Sequence, residues 1–271
     1  HLASSAASDV YKRQSLHQIT TSLTADGHVN VPTGWMQGRA VYGGLVAALL
    51  YRALEQKVGQ GVPLRSATIN FVAPASDGPM QCQAEIFRQG KSVTQGECRA
   101  IQDGQVVAVL LASFGAARES GISVNECPAP SFSAPDKATK LPVVKGITPE
   151  FLQHYDMRWA HGSFPFTRAE KGDIGGWVRE LGARDAVDYG DLIALVDTWP
   201  PTVLSMLSVP APASSMTWTI EFMPDATHGT GQQWWQYLAE TEFAAEGYVH
   251  SRARLWDCLL YTSPSPRDDI S

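Results

Sequence analysis

The sequence predicts an α+β protein built from two similar units, each a long helix wrapped by an antiparallel sheet. Three observations lead there. The run Ala40 to Leu50, AVYGGLVAALL, is apolar on every side. A surface helix shows polar residues on one face, so this one needs cover all round. Residues 64 to 114 alternate and turn like a strand meander, which can curl around such a helix. The second half then repeats the first in order: YGGLVAALL at Tyr42 is answered by YGDLIALVD at Tyr189, INFVAP at Ile69 by IEFMPD at Ile220, and AEIF at Ala84 by AETEF at Ala239. The spacing between counterparts grows only slightly along the chain, as in a duplicated unit with small insertions.

The first helix is expected from about Gly44 to Glu55, and Leu64 to Ala73 reads as a strand ended by Pro74. Pro79 to Phe87 alternates, with Met80, Cys82, Ala84 and Ile86 on one face. Arg88 to Lys91 is a turn, followed by a strand from Ser92 to Ile101. Gln102-Asp103-Gly104 predicts a tight hairpin, because Asp-Gly suits a type I′ turn, and Gln105 to Phe114 closes the sheet. Residues 116 to 146 hold too many Pro, Ser and Lys residues for a regular element. Two such units side by side would share one continuous sheet.

The chain of 271 residues is 44% hydrophobic and 18% charged, enough apolar material for one large domain or two small ones. Its net charge of −6 argues against a nucleic-acid partner. No apolar run reaches the roughly 20 residues of a membrane span. Cys82, Cys98, Cys127 and Cys258 lack metal-ligand spacing and read as thiols of a reducing cytosol. His154, His161, His228 and His250 likewise lack the paired spacing of a metal site. Both ends read as foreign: HLASSAASDVYKRQ has no signal-peptide core, and RARLWD breaks abruptly into CLLYTSPSPRDDIS. The expected organisation is a tail over 1–14, a first unit over 15–118, a linker over 119–148, a second unit over 149–257 that stops before its last strand, and a tail over 258–271.

Several motifs of the first half carry a family resemblance. They are Tyr42-Gly43-Gly44 at a helix start, Phe71 to Pro74 at a strand end, Arg88 to Ser92, Gln102 to Gly104, and Ala112-Ser113-Phe114 in a closing strand. Together they resemble the acyl-CoA thioesterase II family, whose fold is the double hotdog. The resemblance covers most of residues 30 to 257 and is looser in the second half. It implies hydrolysis of fatty acyl-CoA to free acid and CoA, without metal or organic cofactor, and possible assembly into homo-oligomers. It also implies a catalytic set of an Asp, a Thr or Ser hydroxyl and a Gln. The Asp matches Asp197 in LIALVDTWPP, and the hydroxyl matches Ser215 in SSMTWTIEF, with Ser214 and Thr217 as alternatives. The Gln has no match; it belongs after a turn that would follow Trp256-Asp257.

These residues also have plainer readings. Leu192 to Val196 are all apolar, so a carboxylate at Asp197 should be partly desolvated, with its pKa and basicity raised; alternatively Asp197 or Thr198 caps a following helix at TWPP. Ser215 can be an ordinary strand serine. Gly43 and Gly44 would let a substrate anion or thioester carbonyl approach the unpaired N–H groups of a helix start, or they form a tight turn against the sheet. In the repeat Asp191 replaces the second glycine, and an acid there caps its own helix and disfavours anion binding. The tryptophans of the second half (Trp159, Trp177, Trp199, Trp218, Trp234, Trp235) line either an acyl tunnel or a core. Arg39, Arg65, Arg88 and Lys91 are either contacts for CoA phosphates or solvated charges. A non-catalytic acyl-CoA-binding protein and a hotdog hydratase are the competing functions; the hydratase wants a His with an acid at a helix start, and none stands beside Tyr42 or Tyr189.

Overall fold

A computed structural model describes residues 14–182, 186–224, 226–227, 229–230 and 232–257. The expected foreign tails, Cys258, His228 and the place of the missing Gln lie outside these residues, apart from Gln14. A short helix, α1 (Leu16–Thr21), starts on a capping box made by Ser15 and Gln18. Strands β1 (His28–Val31), β2 (Met36–Gln37) and β3 (Ala40–Val41) lead into the long helix α2 (Gly43–Val58). The meander follows as β4 (Leu64–Phe71), β5 (Gly78–Gln89), β6 (Val93–Gln102) and β7 (Gln105–Gly115). The second half contains β8 (Thr139–Lys140), β9 (Tyr155–Gly162), β10 (Asp173–Glu180), helix α3 (Tyr189–Val196), β11 (Thr217–Glu221), β12 (Trp235–Ala245) and β13 (Tyr248–Asp257).

The apolar run at Ala40 forms α2, and its burial matches its composition: Leu45, Ala47, Ala48, Leu49, Leu50 and Leu54 are fully buried. The helix runs one turn beyond the expected end. It stops at Gly59, whose φ of 104° lies in the left-handed region that glycine tolerates. β5, β6 and β7 pack against one side of α2, and α3 against another. Leu49→Ala should therefore cost about 2–5 kcal/mol, since the surrounding sheet cannot collapse into the space. A urea melt reads this directly, and a loss below about 1 kcal/mol would contradict an enclosed helix.

The hairpin at Gln102 has the expected turn, with positive φ at both Asp103 (49°) and Gly104 (75°). The linker is not wholly irregular: β8 forms within it and pairs with β9. Trp177 and Trp256 donate their indole N–H groups to the carbonyls of Ser133 and Cys127, which lays the linker over the second sheet. Its composition favoured loop; side chains of the second unit supply the hydrogen bonds that hold it.

The expected continuous sheet is instead two large sheets, beside the short β2–β3 pair. One has the order β1-β5-β6-β7-β4-β11, the other β13-β12-β10-β9-β8. β11 leaves the strands of its own unit and pairs antiparallel with β4. The register shows why. Thr68 and Thr219 are repeat counterparts, one residue before Ile69 and Ile220, and they face each other across the ladder with hydroxyls 3.1 Å apart. The axis relating the two units therefore passes between them. In the first unit β7 lies between β6 and β4; among the described residues no strand takes the corresponding place between β13 and β11.

Candidate active site

The second helix is only eight residues long, and both ends carry acids. At its start Asp188 and Asp191 form a reciprocal capping box: the Asp188 carboxylate accepts from the Asp191 N–H at 3.0 Å, and Asp191 accepts from the Asp188 N–H at 2.8 Å. The acid that replaces glycine in the repeat thus occupies its own helix start. At its end Asp197 is the C-cap residue, with its N–H on the Ala194 carbonyl at 3.2 Å. The next helical turn begins at Thr202 behind Pro201, and the Thr198 hydroxyl turns back to the Leu195 carbonyl at 2.7 Å. Neither Asp197 nor Thr198 caps it.

The Asp197 side chain leaves α3 and enters the start of α2. The Gly44 backbone N–H lies toward its carboxylate and favours the charged form. A Cβ on Gly43 would lie 2.9 Å from Asp197 Oδ2 and 3.1 Å from the Phe71 ring. A Cβ on Gly44 would lie 2.6–2.7 Å from the Tyr42 phenol. The two glycines therefore make room for two different neighbours, a carboxylate and an aromatic ring. The anion at this helix start is the protein's own.

Two effects oppose each other on that carboxylate. Burial disfavours its charged form, and the Gly44 N–H favours it. Burial wins and raises Asp197 to about 7. Among the described residues, three phenols feel its charge: Tyr42 at the start of α2, Tyr155 on β9 and Tyr237 on β12. Burial pushes all three up, with the Asp197 charge adding to it, so they stay neutral. Aromatic packing fixes these rings. Tyr42 stacks on Phe151 at 3.9 Å, Tyr237 on Trp199 at 5.1 Å, and Phe71 lies 5.4 Å from Trp218.

Asp197, Gly43 and Gly44 are thus brought together. Ser215 is not. It is exposed, just ahead of β11, and makes no hydrogen bond among the described residues. Strand alternation explains this. Trp218 and Ile220 pack on the core, while Thr217 and Thr219 are exposed, and Ser215 shares the parity of the exposed pair. Ser214 and Thr217 are exposed as well. The tryptophans resolve mainly as core: Trp159, Trp177, Trp199 and Trp235 are buried. His154 stacks on Trp35 at 4.0 Å, and burial holds its pKa down. Arg65 bonds the Gly115 carbonyl at 2.8 Å, while Arg39, Arg88 and Lys91 are exposed. No group of three or more His, Cys, Asp or Glu side chains converges on a possible metal position among the described residues. A cleft of about 730 Å³ beside β1, lined by Thr24, His28, Gln81 and Asp103, includes none of the residues around Asp197.

Sequence reasoning missed the phenols. Tyr42 stood inside the motif that marked the helix start, so its identity was readable there. Tyr155 and Tyr237 carried no signal, because only the packing of β9 and β12 onto the helices brings them near Asp197.

Solved structures place this architecture. A conserved protein of unknown function with the hot dog fold, from Alicyclobacillus acidocaldarius, is 26% identical over 90% of this chain and 92% of its own, with a TM-score of 0.80. The acyl-CoA thioesterase II TesB2 of Mycobacterium marinum is 18% identical over 89% and 91%, with a TM-score of 0.65. A tesB protein of Mycobacterium avium subs paratuberculosis is 14% identical over 91% and 94%, with a TM-score of 0.68. The protein is a double hotdog. No curated protein matches it. The model of the acyl-CoA thioesterase N-terminal domain matches residues 31–115, and that of the C-terminal domain matches residues 125–258. The chain belongs to the acyl-CoA thioesterase family. No helix among the described residues is long and apolar enough to cross a membrane.

Proposed function

We propose that the protein hydrolyses acyl-CoA thioesters to a free acid and CoA, with Asp197 as the general base. The observation that carries this reading is the partly buried Asp197 carboxylate, raised to about 7 by desolvation and held against the glycines that open α2. A base whose pKa matches neutral pH combines availability with proton affinity. Asp197 takes a proton from water as the water oxygen bonds to the thioester carbonyl carbon. Negative charge then develops on the carbonyl oxygen. Gly44 is engaged with Asp197, so the N–H of Gly43, which has no intrahelical acceptor, serves this oxygen. Collapse of the tetrahedral intermediate breaks the C–S bond, and protonated Asp197 returns the proton to the leaving thiolate. Among the described residues nothing stands ready as a covalent nucleophile beside the carboxylate, which favours direct attack by water.

Thiol release from a panel running from acetyl-CoA to palmitoyl-CoA tests the reading. Turnover that rises with pH through about 7 is expected from the Asp197 pKa. Saturable acyl-CoA binding without thiol release on any member would replace the enzyme with an acyl-CoA-binding protein.

A further inference from the structure

Tyr42 is fully buried and occupies the N-cap position of α2, yet its side chain makes no cap to its own helix. Its hydroxyl instead crosses to the other unit and donates to the Ala194 carbonyl. That carbonyl also accepts the Asp197 N–H, at 3.2 Å. One oxygen thus joins the phenol of the first unit to the backbone of the carboxylate in the second. We propose that Tyr42 is a positioning residue: its hydroxyl fixes the last turn of α3 and thereby aims the Asp197 carboxylate at the opening of α2.

Three further observations support this role, which rests on the thioester-hydrolysis reading. The phenol is itself held: it stacks on Phe151 at 3.9 Å with planes 7° apart, and Trp35 and Tyr155 flank it at 6.3 and 6.2 Å. Gly44 lacks a Cβ at the place the phenol crosses, where one would lie 2.6–2.7 Å from Cζ, Cε1 and the hydroxyl oxygen. The repeat supplies an internal control. Tyr189, the counterpart of Tyr42, lies inside α3 and packs edge-on against Tyr51 and Phe222 at 6.1 and 5.1 Å. The start of that helix is closed by Asp188 and Asp191, so there is no incoming carboxylate to aim.

Tyr42→Phe keeps the ring and its stacking and deletes only the hydroxyl. Freed of its clamp, the carboxylate loses its aim, and misplacement of a reacting group by about 1 Å costs on the order of 10²-fold. The expected result is a kcat lowered by about 10- to 100-fold with KM for acyl-CoA changed less than about threefold, since the lost interaction acts on chemistry rather than binding. Desolvation raises the titration of Asp197 and the Gly44 N–H lowers it, while the neutral phenols of Tyr42 at the start of α2, Tyr155 on β9 and Tyr237 on β12 are the titratable groups around it. Altering its approach to the Gly44 N–H should therefore move its midpoint. Carboxyl ¹³C NMR, with the signal assigned by Asp197→Asn, reads this without activity. Gly44→Ala pushes the phenol aside by another route and should reproduce both effects, with little added loss in the double variant. Parental kcat together with an unmoved Asp197 titration in folded Tyr42→Phe would overturn the proposal. A parent that cleaves no thioester would defeat the enzymatic reading alone, and the Asp197 titration would still decide the role of Tyr42.

Discussion

Asp197→Asn should lower kcat for acyl-CoA hydrolysis by about 10³-fold, within the range that positioned general bases contribute, and should make the fold more stable above neutral pH. Both effects come from one burial. The Asp197 pKa rises from 3.8 to about 7 in the folded protein, so between those values the folded state holds a proton that the unfolded chain has released. Stability therefore falls as pH rises from about 4 to about 7, then levels off. The cost at the plateau is at most about 4 kcal/mol, lessened by the solvent that reaches the partly exposed side chain. Asparagine fills the same space without a charge and escapes that cost. Urea melts at about pH 5 and about pH 8 check it: the parent should weaken between them by more than the variant. Equal pH slopes would show that the carboxylate is hydrated in solution.

Gly43→Ala should strike the candidate site directly with a single methyl group. The new Cβ would stand 2.9 Å from Asp197 Oδ2 and 3.1 Å from the Phe71 ring, with both neighbours confined by packing. The carboxylate is the freer of the two and must turn away from the helix start. A fall in kcat of about 10²-fold is expected, with stability lowered by about 1–3 kcal/mol. Single-turnover kinetics beside a thermal melt separates the two effects. An alanine variant with parental turnover would mean that the carboxylate works from another position.

How much of this was legible in the sequence depended on the range of the interaction. Local chemistry was readable: the Asp103-Gly104 hairpin turn, the all-apolar α2 and the acid that caps α3 follow from residues within a few positions of each other. The burial of Asp197 was readable too, from the five apolar residues before it. The fold class was readable because the repeat announced two copies of one unit. What the sequence concealed lies across the unit boundary. Gly43 and Gly44 looked like an open anion site because nothing local fills them; the filling groups come from residue 197 and from a ring that folds back over its own helix start. Ser215 looked well placed by its distance from Phe222, but β11 begins only at Thr217 and Ser215 lies exposed ahead of it. The continuous sheet failed because β11 pairs across the boundary rather than within its own unit.

The Thr68–Thr219 contact bears on the history of the site. In an assembly of two identical chains, residues on the twofold axis meet their own copies, and every substitution arrives in both halves at once. Here the axis survives inside one polypeptide, with threonine still facing threonine. Covalent linkage holds the halves together at any dilution and releases each from copying the other. One helix opening has two glycines and faces a carboxylate from the other half, while the other has Asp191 at the second glycine's place and is closed by its own acids. Two copies of one chain cannot differ at equivalent positions, whereas the linked halves can: one opens its helix start and the other supplies the carboxylate that enters it.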